Sequence, residues 1–301
     1  VALPRPAPAR RVFRPARRVS WGTRIFAFFV LLIALGAIGG FLEVFLPQQL
    51  ASVARLEGNE LQTARQGGSD VSTSVNALWT DLAKGTVGLS SDQLAKDLTL
   101  SKETEKAANA ALLHVQAAQA YLAQADGMPF QFHTPSFVVT DRPALNHLQT
   151  ALNAATKLTH GASVQIAFAQ NMGQNSQTLA ALNATMAAGN WADGARIASS
   201  LASAIKLQQG VPNDPETLLD PLWGHWVDAM LTVVLDAQQL CLASAQNQSQ
   251  LAAQDAHNLQ VARAQLAASF AEAEANVPAW QAKTIKPLLD TVAKEISAAG
   301  S

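Results

Sequence analysis

"LSSDQLAKDLTLSKETEKAANAALLHVQAAQAYLAQAD", residues 89–126, is the stretch that decides the fold class. It holds neither glycine nor proline, so nothing in it interrupts a helix or tightens a turn. Leu112, Val115, Ala118 and Leu122 recur three and four positions apart, on one face of a helix, and Ser90, Ser91 and Ser101 can each accept a backbone N–H at a helix start. A long helix with so narrow an apolar stripe needs neighbours of the same kind. The flanking sequence supplies them.

Toward the C-terminus, Asp141 and Pro143 mark a start, with Leu145, Leu148, Leu152 and Ala155 as the stripe and an expected end at His160-Gly161. Further helices are expected from about Ser163 to Ala188, from Trp191 to Gln209, and after Asp214-Pro215 through Trp226. Trp226 to Val277 again lacks glycine and proline and reads as one very long helix or two joined near "QNQSQ", residues 246–250; Pro278 then opens the last helix, to about Ala298. Toward the N-terminus, Val71, Val75, Leu78 and Leu82 give a helix from Val71 to Lys84 that stops at Gly85. Residues 47–68 read as a helical stalk that Gly67-Gly68 should break. The expectation is an all-α protein whose body, residues 69–301, is a multi-helix bundle with long helices. One segment competes: "PFQFHTPSFVVT", residues 129–140, could form a short hairpin, with Phe130 and Phe132 before the turn and Phe137 and Val139 after it.

The basic and apolar residues at the start assign a location. Of the 21 basic residues, seven lie in the first 24 positions together with none of the 22 acids, so an arm of +7 precedes a body of −8. From Ile25 to Leu46 the one ionisable residue is Glu43. A run of that length crosses a hydrocarbon core of about 30 Å. With arginines on its N-terminal side, the positive-inside rule puts residues 1–24 in the cytoplasm as a disordered arm, 25–46 across the cytoplasmic membrane as a single-pass signal anchor, and the body outside. A cleavable signal peptide is the competing reading, with Ala37-Ile38-Gly39 as the cleavage site, but the apolar run continues past it through Phe41, Leu42, Val44, Phe45 and Leu46. No second apolar run of membrane length is expected. Gly36, Gly40 and Glu43 share one face of the span, a seam for a second helix or for a second copy of the same one. The alanine-rich composition suggests a GC-rich bacterial gene, and with it a cell-envelope location.

Chemistry is sparse. The six histidines show no i, i+4 pair that would hold a metal from one helix, and serine-nucleophile, phosphate-loop and dinucleotide signatures are absent. Glu272 and Glu274 sit two apart and point different ways. The lone cysteine, Cys241, reads as a small buried apolar residue. No catalytic residue, cofactor or metal is expected, and an acidic body argues against nucleic acid as a partner. "AAGNWADGARIASSL", residues 187–201, resembles the turn and second helix of a tetratricopeptide-type hairpin, over those residues alone and with no second copy at the repeat distance of about 34 residues.

Two functional classes follow. The first is a non-enzymatic membrane-anchored binding or scaffold protein of the envelope, recognising another envelope or membrane protein through the aromatic residues of its two irregular segments, Phe130, Phe132, Phe137, Trp223 and Trp226. The second is a small-molecule sensor bundle acting through a separate membrane partner, with Trp223 and Trp226 as pocket walls and His225 or Asp228 as polar contacts. A tryptophan-lined pocket favours sensing. A dry alanine and leucine core favours scaffolding.

Overall fold

The computed structural model describes residues 21–83, 90–128 and 134–300. All regular structure among them is helical: α1 (Trp21–Leu82), α2 (Ser91–Asp126), α3 (Ser136–Ala187), α4 (Trp191–Lys206), α5 (Leu222–Ala245), α6 (Ser249–Trp280) and α7 (Lys286–Gly300). The chain divides into two compact units, the first ending at Ser52 and the second running from Val53 to Ser301, so the boundary lies inside α1.

In the second unit the helices pack along stripes of alternating three- and four-residue steps, the spacing of knobs-into-holes packing. On α1 the buried stripe is Glu57, Leu61, Ala64, Gly68, Val71, Val75, Leu78 and Leu82. On α2 it is Leu94, Asp97, Ser101, Thr104, Ala108, Ala111, Val115, Ala118, Leu122 and Ala125. Polar members of these stripes fix the register between helices: the Ser101 hydroxyl donates to the Thr159 carbonyl at 2.7 Å and meets the Ser163 hydroxyl at 2.8 Å.

The long helix α3 carries two such stripes. Leu145, Leu148, Leu152, Ala155, Thr159, Ala162 and Ile166 form one; Leu158, Gly161, Gln165, Phe168, Met172, Asn175, Leu182 and Met186 follow the other, one residue and about 100° out of phase. The first stripe serves a bundle with α1, α2 and α7, and the second serves a bundle with α4, α5 and α6. The two bundles therefore share α3, with the change of face between Leu158 and Ile166.

Several boundaries differ from the sequence reading. Gly67-Gly68 does not end α1, because each glycine is a close-approach point: a Cβ at 67 would lie 3.0 Å from Ala111 Cβ, and one at 68 would lie 2.8 Å from Ile296 Cδ1. Packing outweighs the intrinsic helix cost of glycine, roughly 1 kcal/mol per residue. Residues 53–68 thus belong to the bundle rather than to a separate stalk. Likewise α3 passes straight through His160-Gly161, where the missing side chain admits Leu218, whose Cδ1 would lie 2.7 Å from a Cβ at 161.

The hairpin expected at 129–140 is not formed in its second half: Ser136–Thr140 is the first turn of α3, with Pro135 O accepting from Val138 N and Val138 fully buried. Residues 129–133 lie outside the described residues. The start expected at Asp141-Pro143 therefore falls inside α3. Pro278 lies inside α6, which passes through a π-helical turn at Gln281–Ile285 into α7; the carbonyl with which Pro287 of α7 would clash, that of Lys283, lies in this widened turn. The stretch 226–277 is two helices, joined at Gln246–Gln248 with Asn247 in the left-handed region at φ 58°.

The N-terminal location of the expected span is not supported among the described residues. Among the described residues, one helix is long and apolar enough by composition to cross a membrane, and it is α5, Leu222–Ala245, not the expected N-terminal run. Its stripe of Trp223, Val227, Met230, Val234, Ala237 and Cys241 is buried against α4 and α6, which accounts for its apolarity as core. Cys241 is buried beside Gly194, the small position of the tetratricopeptide-like segment, and burial pushes its thiol pKa up. Ile25–Leu46 is not a separate helix but part of α1.

Candidate functional site

The loop between α4 and α5 builds the site. Asp214 Oδ1 accepts from Glu216 N, the Thr217 hydroxyl donates to the carbonyls of Val211 and Asp214, and Leu219 N donates back to that hydroxyl. These bonds fold residues 211–221 on themselves and leave Leu218 at φ 51°, an unusual backbone state for a branched residue. Its carbonyl accepts from Gln165 Nε2 on α3 and from Trp280 Nε1 at the end of α6. Buried Asp220 then accepts from Leu222 N through one oxygen and from Asn276 Nδ2 on α6 through the other, at 2.7 Å. The first turn of α5 is thereby fixed relative to both α3 and α6.

Trp223 and Trp226, three apart on that turn, point inward and retain 6 % and 7 % of their exposure. Each meets Phe270 of α6 and each meets the other, with ring centroids 5.4–5.8 Å apart and interplanar angles of 61–74°, the edge-to-face arrangement that aromatic quadrupoles prefer. These rings form one wall of a cleft of about 660 Å³. Phe168, Met172 and Gly173 of α3 face them, Leu219 closes the loop side, Ser91 and Leu94 of α2 contribute the first turn of the other bundle, and Gln170, Gln174, Ser176 and Gln177 supply amide and hydroxyl groups. Among the described residues no charged side chain lines it. Its volume falls in the range of small-molecule pockets.

The expected site residues are thus dispersed. Trp223 and Trp226 are cleft walls rooted in the core, whereas His225 and Asp228 are exposed on the opposite side of α5, Asp228 accepting from Gln209 Nε2 at 2.8 Å. Phe137 is half-buried in the first turn of α3, about 46 Å along that helix from Phe168, and Phe130 and Phe132 lie outside the described residues. In the first unit, a Cβ at Gly36 or Gly40 would meet nothing within 4 Å. The side chain of Glu43 lies outside the described ones. Phe168, Met172, Leu219 and Phe270 are the cleft residues that sequence reasoning missed. The available signal was the second stripe of α3, on which Phe168 and Met172 fall.

The other titratable groups lie elsewhere. His114 Nδ1 pairs with Glu60 at 2.6 Å and joins α2 to α1; His147 pairs with Glu295 and joins α3 to α7. His160, His225 and His257 are exposed. Among the described residues no three His, Cys, Asp or Glu side chains gather into a group able to hold a metal. Glu57 is 1 % exposed and hydrogen-bonded to Asp141 of α3, and burial, helped by the Asp141 charge, raises its pKa to about 7.

No family model, curated protein or solved structure matches the chain. A functional reading therefore rests on the residues themselves.

Proposed function

We propose that the chain is a non-enzymatic binding protein of the cell envelope, anchored in the cytoplasmic membrane through Ile25–Leu46, with residues 1–24 inside and the helical body outside. The observation that carries this is a contrast along α1. Phe26 is 71 % exposed, and Phe28, Phe29, Val30, Leu31, Leu32, Ile33 and Leu35 are exposed too, whereas from Val53 onward the apolar stripe is buried. Among the described residues this exposed apolar surface, about three turns from Phe26 to Leu35, is not covered by other side chains, and a hydrocarbon layer is a medium that accepts it. The seven arginines before the run set the orientation. The open backbone at Gly36 and Gly40 supports helix–helix contact there, with a second copy or with another envelope protein.

Membrane fractionation with mass spectrometry of the N-terminus tests the anchor. An intact N-terminus in the membrane fraction, with the body degraded by protease added from outside, is expected; a soluble product beginning at Gly40 refutes it.

A specific observation favours small-molecule sensing as the activity of the body. The cleft is walled by Trp223, Trp226, Phe168 and Phe270 and contains contributions from both bundles. An occupant would touch the first turn of α2 and the second stripe of α3 together, and α2 is the partner of α1. A ligand that binds one packing of these helices better than another shifts their equilibrium by its differential affinity.

A further inference from the structure

We infer that the cleft takes an uncharged, ring-containing small molecule bearing one or two hydrogen-bonding groups; this rests on the sensing reading above. Three observations narrow the ligand to that class. First, the four aromatic walls and Met172 provide flat, polarisable, largely buried surface, which favours a ring that can stack or meet their edges. Second, among the described residues no Asp, Glu, Lys, Arg or His lines the cleft, so a charged ligand would lose hydration without an opposing charge from them to replace it. Trp223, Trp226 and Phe270 already engage one another edge to face, which leaves their faces poorly placed to cage a quaternary ammonium. Third, Gln170, Gln174 and Gln177 recur at four- and three-residue spacing along one border, and their amides offer both donors and acceptors to a hydroxyl or carbonyl.

Gly173 provides a clean perturbation. It lines the cleft, its side is exposed, and a Cβ there meets nothing within 4 Å. Gly173→Leu therefore fills the cleft with an isobutyl group and strengthens α3 by helix propensity, so its melting temperature should not fall. The probes are 2-naphthol, 2-naphthoate and (2-naphthyl)trimethylammonium, which share one ring system and differ in charge at neutral pH. Binding to the full chain in lipid nanodiscs is followed by saturation-transfer NMR, with Gly173→Leu nanodiscs as the control for partition into lipid.

The expected result is saturable binding of 2-naphthol at least tenfold tighter than either charged probe, weakened at least tenfold by Gly173→Leu. Equal or tighter binding of a charged probe, abolished by Gly173→Leu, overturns the ligand class and leaves the sensing reading standing. Binding by none of the three, or binding that Gly173→Leu leaves unchanged, overturns both.

Discussion

Replacing Glu57 by glutamine should remove a pH dependence from the stability of the bundle. Glu57 occupies a stripe position of α1, is 1 % exposed, hydrogen-bonds to Asp141 of α3, and has one carboxyl oxygen without a hydrogen-bond partner. Burial first, then the Asp141 charge and hydrogen bond, raise its pKa from 4.5 to about 7, against a smaller opposing pull from Arg65. A folded-state pKa above the unfolded one means that the folded protein binds the proton more tightly. The protonated pair therefore contributes its full stability below pH 4.5, and that contribution is lost as pH rises through about 7. At about 1.4 kcal/mol per pKa unit the shift corresponds to at most ~3.4 kcal/mol, and residual solvent screening reduces this to ~2 kcal/mol. Glutamine keeps the shape, donates an N–H to Asp141 and does not ionise. Thermal unfolding of wild type and Glu57→Gln should give midpoints that agree at pH 4.5 and differ by roughly 4–8 °C at pH 8, with the variant higher. The variant-minus-wild-type difference isolates Glu57 from other carboxylates such as Asp236, whose pKa is also raised by burial and by Asp255. A difference that does not change with pH, or a variant less stable at pH 8, would refute the argument.

Two further perturbations address the packing of the body. Gly161→Ala places a methyl group 2.8 Å from both Cβ and Cγ of Leu218, in a loop pinned on both sides, so overpacking should outweigh the helix-propensity gain and destabilise by about 1–3 kcal/mol, read by urea unfolding; a variant as stable as wild type would show that the loop yields. A fragment of residues 53–301 should be soluble, helical and cooperative, whereas one beginning at Ser69 loses buried Val53, Leu61 and Ala64 and should be less stable by several kcal/mol; equal stability of the two, by circular dichroism melts, would remove residues 53–68 from the bundle.

The helical architecture was legible because it depends on local periodicity. Leu145, Leu148, Leu152 and Ala155 mark the buried face of α3, as do Val71, Val75, Leu78 and Leu82 that of α1, and both sets are read directly from spacing. The helix ends were less legible, for a consistent physical reason. Gly67, Gly68 and Gly161 look like breaks when only propensity is considered, yet each is the point where another element comes too close for a side chain. Glycine at a turn and glycine at a helix crossing are the same letter, and only the partner, Ala111, Ile296 or Leu218, distinguishes them. The partner is separated by tens of residues, or for Ile296 by more than two hundred, and has no signature in the local window.

The site was legible in half for a related reason. Trp223 and Trp226 stood out as aromatic residues beside a titratable cluster, but their neighbours in sequence, His225 and Asp228, face outward, while their neighbours in space come from α2, α3 and α6. What brings those helices together is the phase change on α3. Up to Ile166 its apolar stripe faces the bundle of α1, α2 and α7; from Phe168 a stripe rotated by one residue faces α4, α5 and α6. Where a helix changes the face it buries, the continuation of the first stripe, at Ala169, Gly173 and Ser176, loses its covering partners, and a gap opens there beside the second stripe. The cleft lies immediately after that switch, at Phe168 to Gln177, with the pinned Leu218–Asp220 loop beneath it. An occupant there fills the space between two packing arrangements of a single helix, so its binding energy acts on the relation between the bundles rather than on either core, and that is the property a sensing body requires.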